Sequence, residues 1–256
     1  ECIKLNPENL QANNHFGKAL FNIGDYSRAL ICYDKALELS PDYPEAWSNK
    51  GNALGELRRF KEALASYDRA LELKADYVEA WSNKGLTLQE LKKYDEALVC
   101  YDKALELNQE YVEAWSNKGN ALGELKQFSE ALACFDKALS LNPDYAEVWA
   151  NKGSILSLLK RYEESSLCYK KALELKDSID WIFGDHMYAN MRACDWAGFE
   201  ENAELLGRKV RSGEKVINPF QILAINDDAL MHRQCAQIYV ADQYPETPTL
   251  GSIPKR

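Results

Sequence analysis

The sequence predicts an all-α fold, a right-handed superhelix of stacked helix pairs (an α-solenoid) with an irregular helical cap at its C-terminal end. Three observations carry this. Near-copies of one segment, AWSNKGNALGEL (46–57), AWSNKGLTLQEL (80–91), AWSNKGNALGEL (114–125) and VWANKGSILSLL (148–159), recur at a period of 34 residues. At about 100° per residue, each copy places its apolar residues on one arc of a helix and its polar residues on the other. Glycines (Gly17, Gly51, Gly85, Gly119, Gly153) and rings (Tyr33, Tyr67, Tyr101, Phe135, Tyr169) keep the same period. A unit of this length cannot bury its apolar face alone and must stack on its neighbours.

The elements follow in order. Residues 1–9, ECIKLNPEN, read as the end of a preceding second helix and its turn, so the chain is expected to begin inside a repeat. Five whole units then occupy 10–43, 44–77, 78–111, 112–145 and 146–179. In each first helix the packing arc holds residues such as Trp47, Gly51, Leu54 and Leu57, or Trp81, Gly85, Leu88 and Leu91. Glycine in a helix interior costs about 1 kcal/mol relative to alanine, so its recurrence argues for close helix approach. Ala29, Ala63, Ala97 and Ala131 of the second helices are the expected small counterparts. Tyr26, Phe60, Tyr94, Phe128 and Tyr162, with the rings named above, are expected to fill the space between layers. Lys50, Lys84, Lys118 and Lys152 interrupt the packing arc. Their stems are expected to pack while the ammonium groups reach an edge.

The period ends at Ile179. Residues 180–244 read as a cap: a helical stretch DWIFGDHMYANMRA, a helix to about Arg211, the loop RSGEKVINPF, and a helix from about Asp227 to Tyr239. That last helix carries Leu230, Met231, Cys235, Ile238 and Tyr239 on one half of its circumference, so it is expected to pack. Pro245, Pro248 and Pro254 predict an extended tail over 245–256.

Composition excludes several function classes. Of 256 residues 46% are hydrophobic, and no apolar run approaches the length of a membrane span. The formal charge is −9, of which residues 178–256 contribute −3, so the acidity is spread along the chain. Nucleic acid and membrane are therefore not expected partners. No secretory or transit segment is visible, and the expected location is cytoplasmic. Of the seven cysteines, Cys32, Cys100, Cys134 and Cys168 occupy one slot of the repeat, filled by Ser66 in the second unit. Equivalent slots on stacked helices lie roughly 8–10 Å apart, beyond the reach of about 7 Å for a disulfide, so structural thiols in a reducing compartment are expected. No Cys/His cluster, phosphate loop or nucleophile motif can be placed, and His15, His186 and His232 are scattered. No catalytic residue, metal or cofactor is expected.

A 34-residue unit with Trp, Gly, Tyr or Phe, Ala and a turn proline at fixed offsets resembles the tetratricopeptide repeat. The arc opposite the packing arc then lines a groove, and there the candidate site lies. It carries Asn49, Asn83, Asn117 and Asn151, preceded by Ser48, Ser82, Ser116 and Ala150, with Asn52 and Asn120 close by. Glu45, Glu79, Glu113 and Glu147 share this face; Glu79 and Glu113 complete the candidate set. First helices roughly 8–10 Å apart would meet an extended chain, at about 3.3–3.6 Å per residue, once in every three residues or so. Each asparagine amide offers a donor and an acceptor, which suits a peptide backbone of any sequence. Asparagine at this place is also frequent in tetratricopeptide repeats generally, so a structural role stays open. A groove of Glu, Ser and Asn does not suit a C-terminal carboxylate, which needs Lys or Arg there. The expected partners are protein segments in extended conformation, and self-association is left open.

The order of repeats, Cys194-Asp195-Trp196, a helix, Asn218-Pro219-Phe220 with Leu223, and a helix ending near Tyr239 resembles the connector of the O-linked N-acetylglucosamine transferase and SPINDLY-like proteins. The resemblance is specific only over about 180–244. It implies that the asparagines grip substrate segments for a protein O-glycosyltransferase whose catalytic domain follows Arg256. His15 stands where the family's asparagine is expected in the first repeat. A free-standing scaffold with no linked enzyme is the alternative reading.

Overall fold

A computed structural model of the chain describes residues 9–176 and 178–244. The expectations for residues 1–8 and for the tail at 245–256 lie outside the described residues. The described residues form helices and turns with no strand, arranged as tandem helix pairs, as the periodicity predicts. They divide into two compact units, residues 1–141 and 142–256.

The first unit holds four helix pairs: α1 (Leu10–Asn22) with α2 (Tyr26–Leu39), α3 (Pro44–Glu56) with α4 (Phe60–Leu73), α5 (Val78–Glu90) with α6 (Tyr94–Leu107), and α7 (Val112–Glu124) with α8 (Phe128–Leu141). Each first helix packs on its own second helix, and α2, α4 and α6 pack in turn on α3, α5 and α7. Local chemistry sets the ends. The Asn9 side chain accepts from the Ala12 amide at the start of α1, the Asp25 side chain accepts from Arg28 at the start of α2, and Pro44 opens α3 where no amide hydrogen is required. The turn inside each repeat passes through one left-handed residue, Gly24 in the first repeat but Arg58, Lys92 and Lys126 in the next three, with φ of 58–61°. The turn between repeats is held by the indole Nε1 of Trp47, Trp81 and Trp115, which donate to the carbonyls of Pro41, Ala75 and Gln109 at 2.8–3.0 Å.

The structure corrects one expectation about the glycines. Their counterpart is the ring in the same repeat, not the alanine. A Cβ built on Gly17, Gly51, Gly85 or Gly119 would lie 2.5–2.7 Å from Cε1 of Tyr33, Tyr67, Tyr101 or Phe135. Ala29, Ala63, Ala97 and Ala131 are fully buried and pack elsewhere in the interior. Cys32, Cys100 and Cys134 are buried, reduced thiols. Burial pushes the Cys100 and Cys134 thiols up to about 11, with Lys84 and Lys118 opposing it.

The lysines on the packing arc have partners that sequence reasoning missed. The Nζ atoms of Lys50, Lys84 and Lys118 pair with Asp34, Asp68 and Asp102 of the preceding second helix at 2.6–2.7 Å. Each also lies 5.1–5.7 Å from the ring of Trp47, Trp81 or Trp115. The signal was present in the sequence, since these aspartates share the 34-residue period.

The second unit begins with one more pair, α9 (Ala146–Leu158) and α10 (Tyr162–Leu175), built on the same contact of Gly153 with Tyr169. The cap continues with α11 (Ile182–Arg192), α12 (Phe199–Arg211), a short α13 (Pro219–Ile222) and α14 (Ala229–Gln243). Helix α11 packs on α10 through Ile182 and Ala189, next to Tyr169 and Ala172. A separate core of Met187, Leu206, Val210, Ile217, Ile222, Met231 and Cys235 joins α11 to α14. Two details differ from expectation: the Asn-Pro-Phe segment forms the short helix α13, and Leu230 is exposed on α14.

Candidate functional site

The face presented by the first helices of the first unit is built from amides that are already engaged with one another. Asn49 Nδ2 donates to Asn14 Oδ1 at 3.0 Å, and Asn83 Nδ2 donates to Asn52 Oδ1 at 3.0 Å. Asn52 Oδ1 also accepts from the Tyr67 hydroxyl at 2.7 Å, which fixes the orientation of its amide. One hydrogen of each of Asn49 and Asn83 therefore holds the preceding repeat, while their carbonyl oxygens stay available to accept. Asn117 differs: it is half-buried and makes no hydrogen bond with a described residue. The cause is readable, because Leu86 stands where Asn52 stands one repeat earlier and offers no acceptor. Asn120 also has a polar partner, as does Asn151, which belongs to the second unit.

The serines do not reach the face as expected. Ser48, Ser82 and Ser116 are only 2–5% exposed. Their place in the repeat bonds to the tyrosine that closes it: Ser48 hydrogen-bonds Tyr77, and Asn14, the equivalent residue in the first repeat, donates to the Tyr43 hydroxyl at 3.1 Å. Burial, followed by the Glu45 and Glu79 carboxylates, pushes the Tyr77 phenol up, and the bond with Ser48 opposes it. These tyrosines were missed at the sequence level, although Tyr43, Tyr77, Tyr111 and Tyr145 recur with the repeat. Asn14 also supplies the partner for Asn49 beside His15.

Between α1, α3 and α5 the face deepens into a cleft of about 450 Å³, lined by Asn52, Asn83, Leu86, Glu56, Glu90 and Phe21 among others. Leu86 is 42% exposed, so the cleft combines an apolar floor with amide and carboxylate walls, the two carboxylates outnumbering the one cation, Arg58. Glu79 and Glu113 are exposed at the first turns of α5 and α7. Such a site offers acceptors in excess over donors, apolar contact and negative charge. Among the described residues no group of three metal-ligating side chains occurs, and no helix is long and apolar enough to cross a membrane.

Family models described as tetratricopeptide repeat match residues 44–77, 78–111, 112–145 and 146–178, and one described as TPR repeat matches 17–58. The chain belongs to the tetratricopeptide-repeat family. The solved structure of YrrB, a TPR protein with an unusual peptide-binding site, is 27% identical, covers 73% of this chain and 93% of its own, and superposes with a TM-score of 0.54. PilF of Pseudomonas aeruginosa (21% identity, 78% of this chain, 90% of its own, TM-score 0.71) and the type IV pilus biogenesis factor PilW (20%, 77%, 91%, 0.70) share the fold. Among curated proteins, none matches the sequence. As a tandem tetratricopeptide array the chain is a protein–protein interaction module. The two cap motifs singled out in the sequence have local structural work. Asp195 accepts from the Ala197 amide, and Asn218 accepts from the amides of Phe220 and Gln221 to start α13.

Proposed function

We propose that the asparagine face of residues 10–141 holds an extended segment of a partner protein by its backbone. The supporting observation is the pre-oriented amide pairs, in which Asn49 and Asn83 each keep an acceptor free, that of Asn83 in the lining of the cleft at Leu86. YrrB, the similar TPR protein whose structure includes a peptide-binding site, supports the same reading. Neutral or basic segments suit the face best, because Glu56, Glu79, Glu90 and Glu113 surround it, and salt weakens that preference. Each backbone hydrogen bond contributes about 0.5–1.5 kcal/mol net against an association cost of about 4–15 kcal/mol, so affinity is micromolar or poorer. The test is fluorescence anisotropy of a labelled Ala/Lys decapeptide with the wild type and with the Asn83→Ala, Asn117→Ala double variant. Binding about tenfold weaker in the variant supports the reading; unchanged binding by a folded variant sinks it.

A second reading adds that the array recruits substrates for a linked protein O-glycosyltransferase. It rests on the resemblance at residues 180–244 alone, and the matched families and structures do not reach it. The parent reading frame tests it: a glycosyltransferase domain after Arg256 supports it, and a stop codon leaves a free-standing scaffold.

A further inference from the structure

The cap contains a second recess, distinct from the asparagine face. Helices α11, α13 and α14 enclose a cleft of about 620 Å³ walled by Trp181, Tyr188, Phe220 and Tyr239, with Asp185 and Gln221 in its lining. Trp181 and Tyr239 meet edge to face, their centroids 5.6 Å apart and their planes at 68°, so they form a corner of two π surfaces. Trp181 is held there in a left-handed conformation, φ 68°, its amide donating to the Lys215 carbonyl at 2.5 Å.

Two side chains in this lining, Asp185 and Gln221, carry oxygens short of donors. Asp185 Oδ1 accepts one hydrogen bond, from Gln221 Nε2 at 2.7 Å, and no cation among the described residues pairs with the carboxylate. Gln221 Oε1 is buried and has no hydrogen-bond partner. The cation close in sequence, Lys215, has its ammonium committed to Asp180 at 3.4 Å and Asp242 at 2.6 Å. Burial pushes the Asp185 carboxyl up, against the Gln221 bond, as befits an acid that lacks its counter-charge. A buried acceptor with no donor is costly, so an orphan oxygen beside an unpaired carboxylate is a feature that calls for an explanation.

We propose that this cleft binds the guanidinium group of an arginine on a partner protein. Ring faces attract a cation, the two oxygens of the Asp185 carboxylate suit the planar fork of a guanidinium, and a flat guanidinium stacks on an indole or phenol. An ammonium presents one point charge and satisfies the two oxygens less well. Beside the cleft Phe220 is 85% and Leu223 58% exposed, apolar ground that a protein segment covers and a free guanidinium compound does not.

The test follows the Trp181 indole N–H by NMR, assigned by its loss in Trp181→Phe, while the intact chain is titrated with N-acetyl-arginine amide, N-acetyl-lysine amide and uncharged N-acetyl-norleucine amide. Arginine is expected to saturate at millimolar concentration, lysine to bind about threefold more weakly, and norleucine not to saturate. Asp185→Asn, which keeps an oxygen for Gln221, is expected to weaken arginine binding about tenfold. Phe220→Ala, at an exposed position, provides a variant that folds and is expected to lose about threefold. A pentapeptide Gly-Leu-Arg-Leu-Gly is expected to bind more tightly than methylguanidinium. Equal shifts with norleucine, or unchanged arginine binding in both folded variants, overturn the site. Methylguanidinium binding as tightly as the peptide overturns the assignment to a protein partner.

Discussion

The repeats of the first unit and the cap of the second are both helical, but they hold themselves together in different ways. In the repeats the same contacts return: a glycine under a ring in all four pairs and, from the second repeat on, an indole on a carbonyl and a lysine on the aspartate before it. In the cap each contact occurs once. Gly184 lies against Ile217, the Cys235 thiol donates to the Ile217 carbonyl at 2.9 Å, and the Gly184 amide donates to the Val216 carbonyl at 2.7 Å. The single segment of residues 215–217 thereby ties α11 to α14, with no second copy to share a loss. Repetition spreads the consequences of damage; singular contacts concentrate them.

The largest expected effect is therefore in the cap. A Cβ at Gly184 would lie 2.5 Å from Ile217 Cγ1 and 2.8 Å from its Cα, so backbone must move. Gly184→Ala is expected to destabilise the cap by about 3 kcal/mol or more, read as an early transition in urea unfolding followed by Trp181. The repeat equivalent is milder. Gly85→Ala meets only the Tyr101 ring, at 2.7 Å, and is expected to cost about 2 kcal/mol by the same measurement. A cost larger than that of Gly184→Ala would break the comparison.

Smaller effects sharpen it within the repeats. Asn83→Ala removes the bond to Asn52 and is expected to cost about 1 kcal/mol, whereas Asn117→Ala, with no bond to lose, is expected to stay within about 0.5 kcal/mol of wild type. Equal costs in thermal melts would show that the two asparagines have the same structural weight. An effect of similar size and opposite sign concerns Lys92, with φ of 59° in the turn before α6. Left-handed geometry costs a side chain about 1–2 kcal/mol, and glycine gives back roughly 0.5–1 kcal/mol through its freer unfolded chain. Lys92→Gly should raise the unfolding free energy by up to about 1 kcal/mol; a drop would mean that the lysine side chain supports the turn.

The same contrast explains what the sequence made legible. A contact that recurs every 34 residues leaves several traces, so the helix pairs and the inward placement of Trp47, Gly51 and Tyr67 followed from periodicity, but the contact of Gly51 with Tyr67 did not. The serine, lysine and asparagine roles were harder, because a helical wheel assigns a face but not a partner. Ser48 stands on the polar arc and is nevertheless buried, bonded to Tyr77 from the end of the repeat. The asparagine pairs needed two facts at once, Asn83 and the residue 31 positions earlier, and the break at Leu86 needed their comparison. In the cap no repetition exists to read. The pairing of Asp185 with Gln221 spans 36 residues and depends on the turn at Asn218, which no local pattern announces.

The lysine–aspartate pairs give the array a direction. Each of Asp34, Asp68 and Asp102 extends a carboxylate forward, and each of Lys50, Lys84 and Lys118 reaches back to receive it. Plug and socket of opposite sign thus support the head-to-tail order that the continuous chain imposes. The fifth repeat carries Lys170 at the plug position, and the first carries Phe16 at the socket. A sixth repeat of the same design docked on α10 would bring its lysine against Lys170. The coupling written in these charges therefore stops at α10.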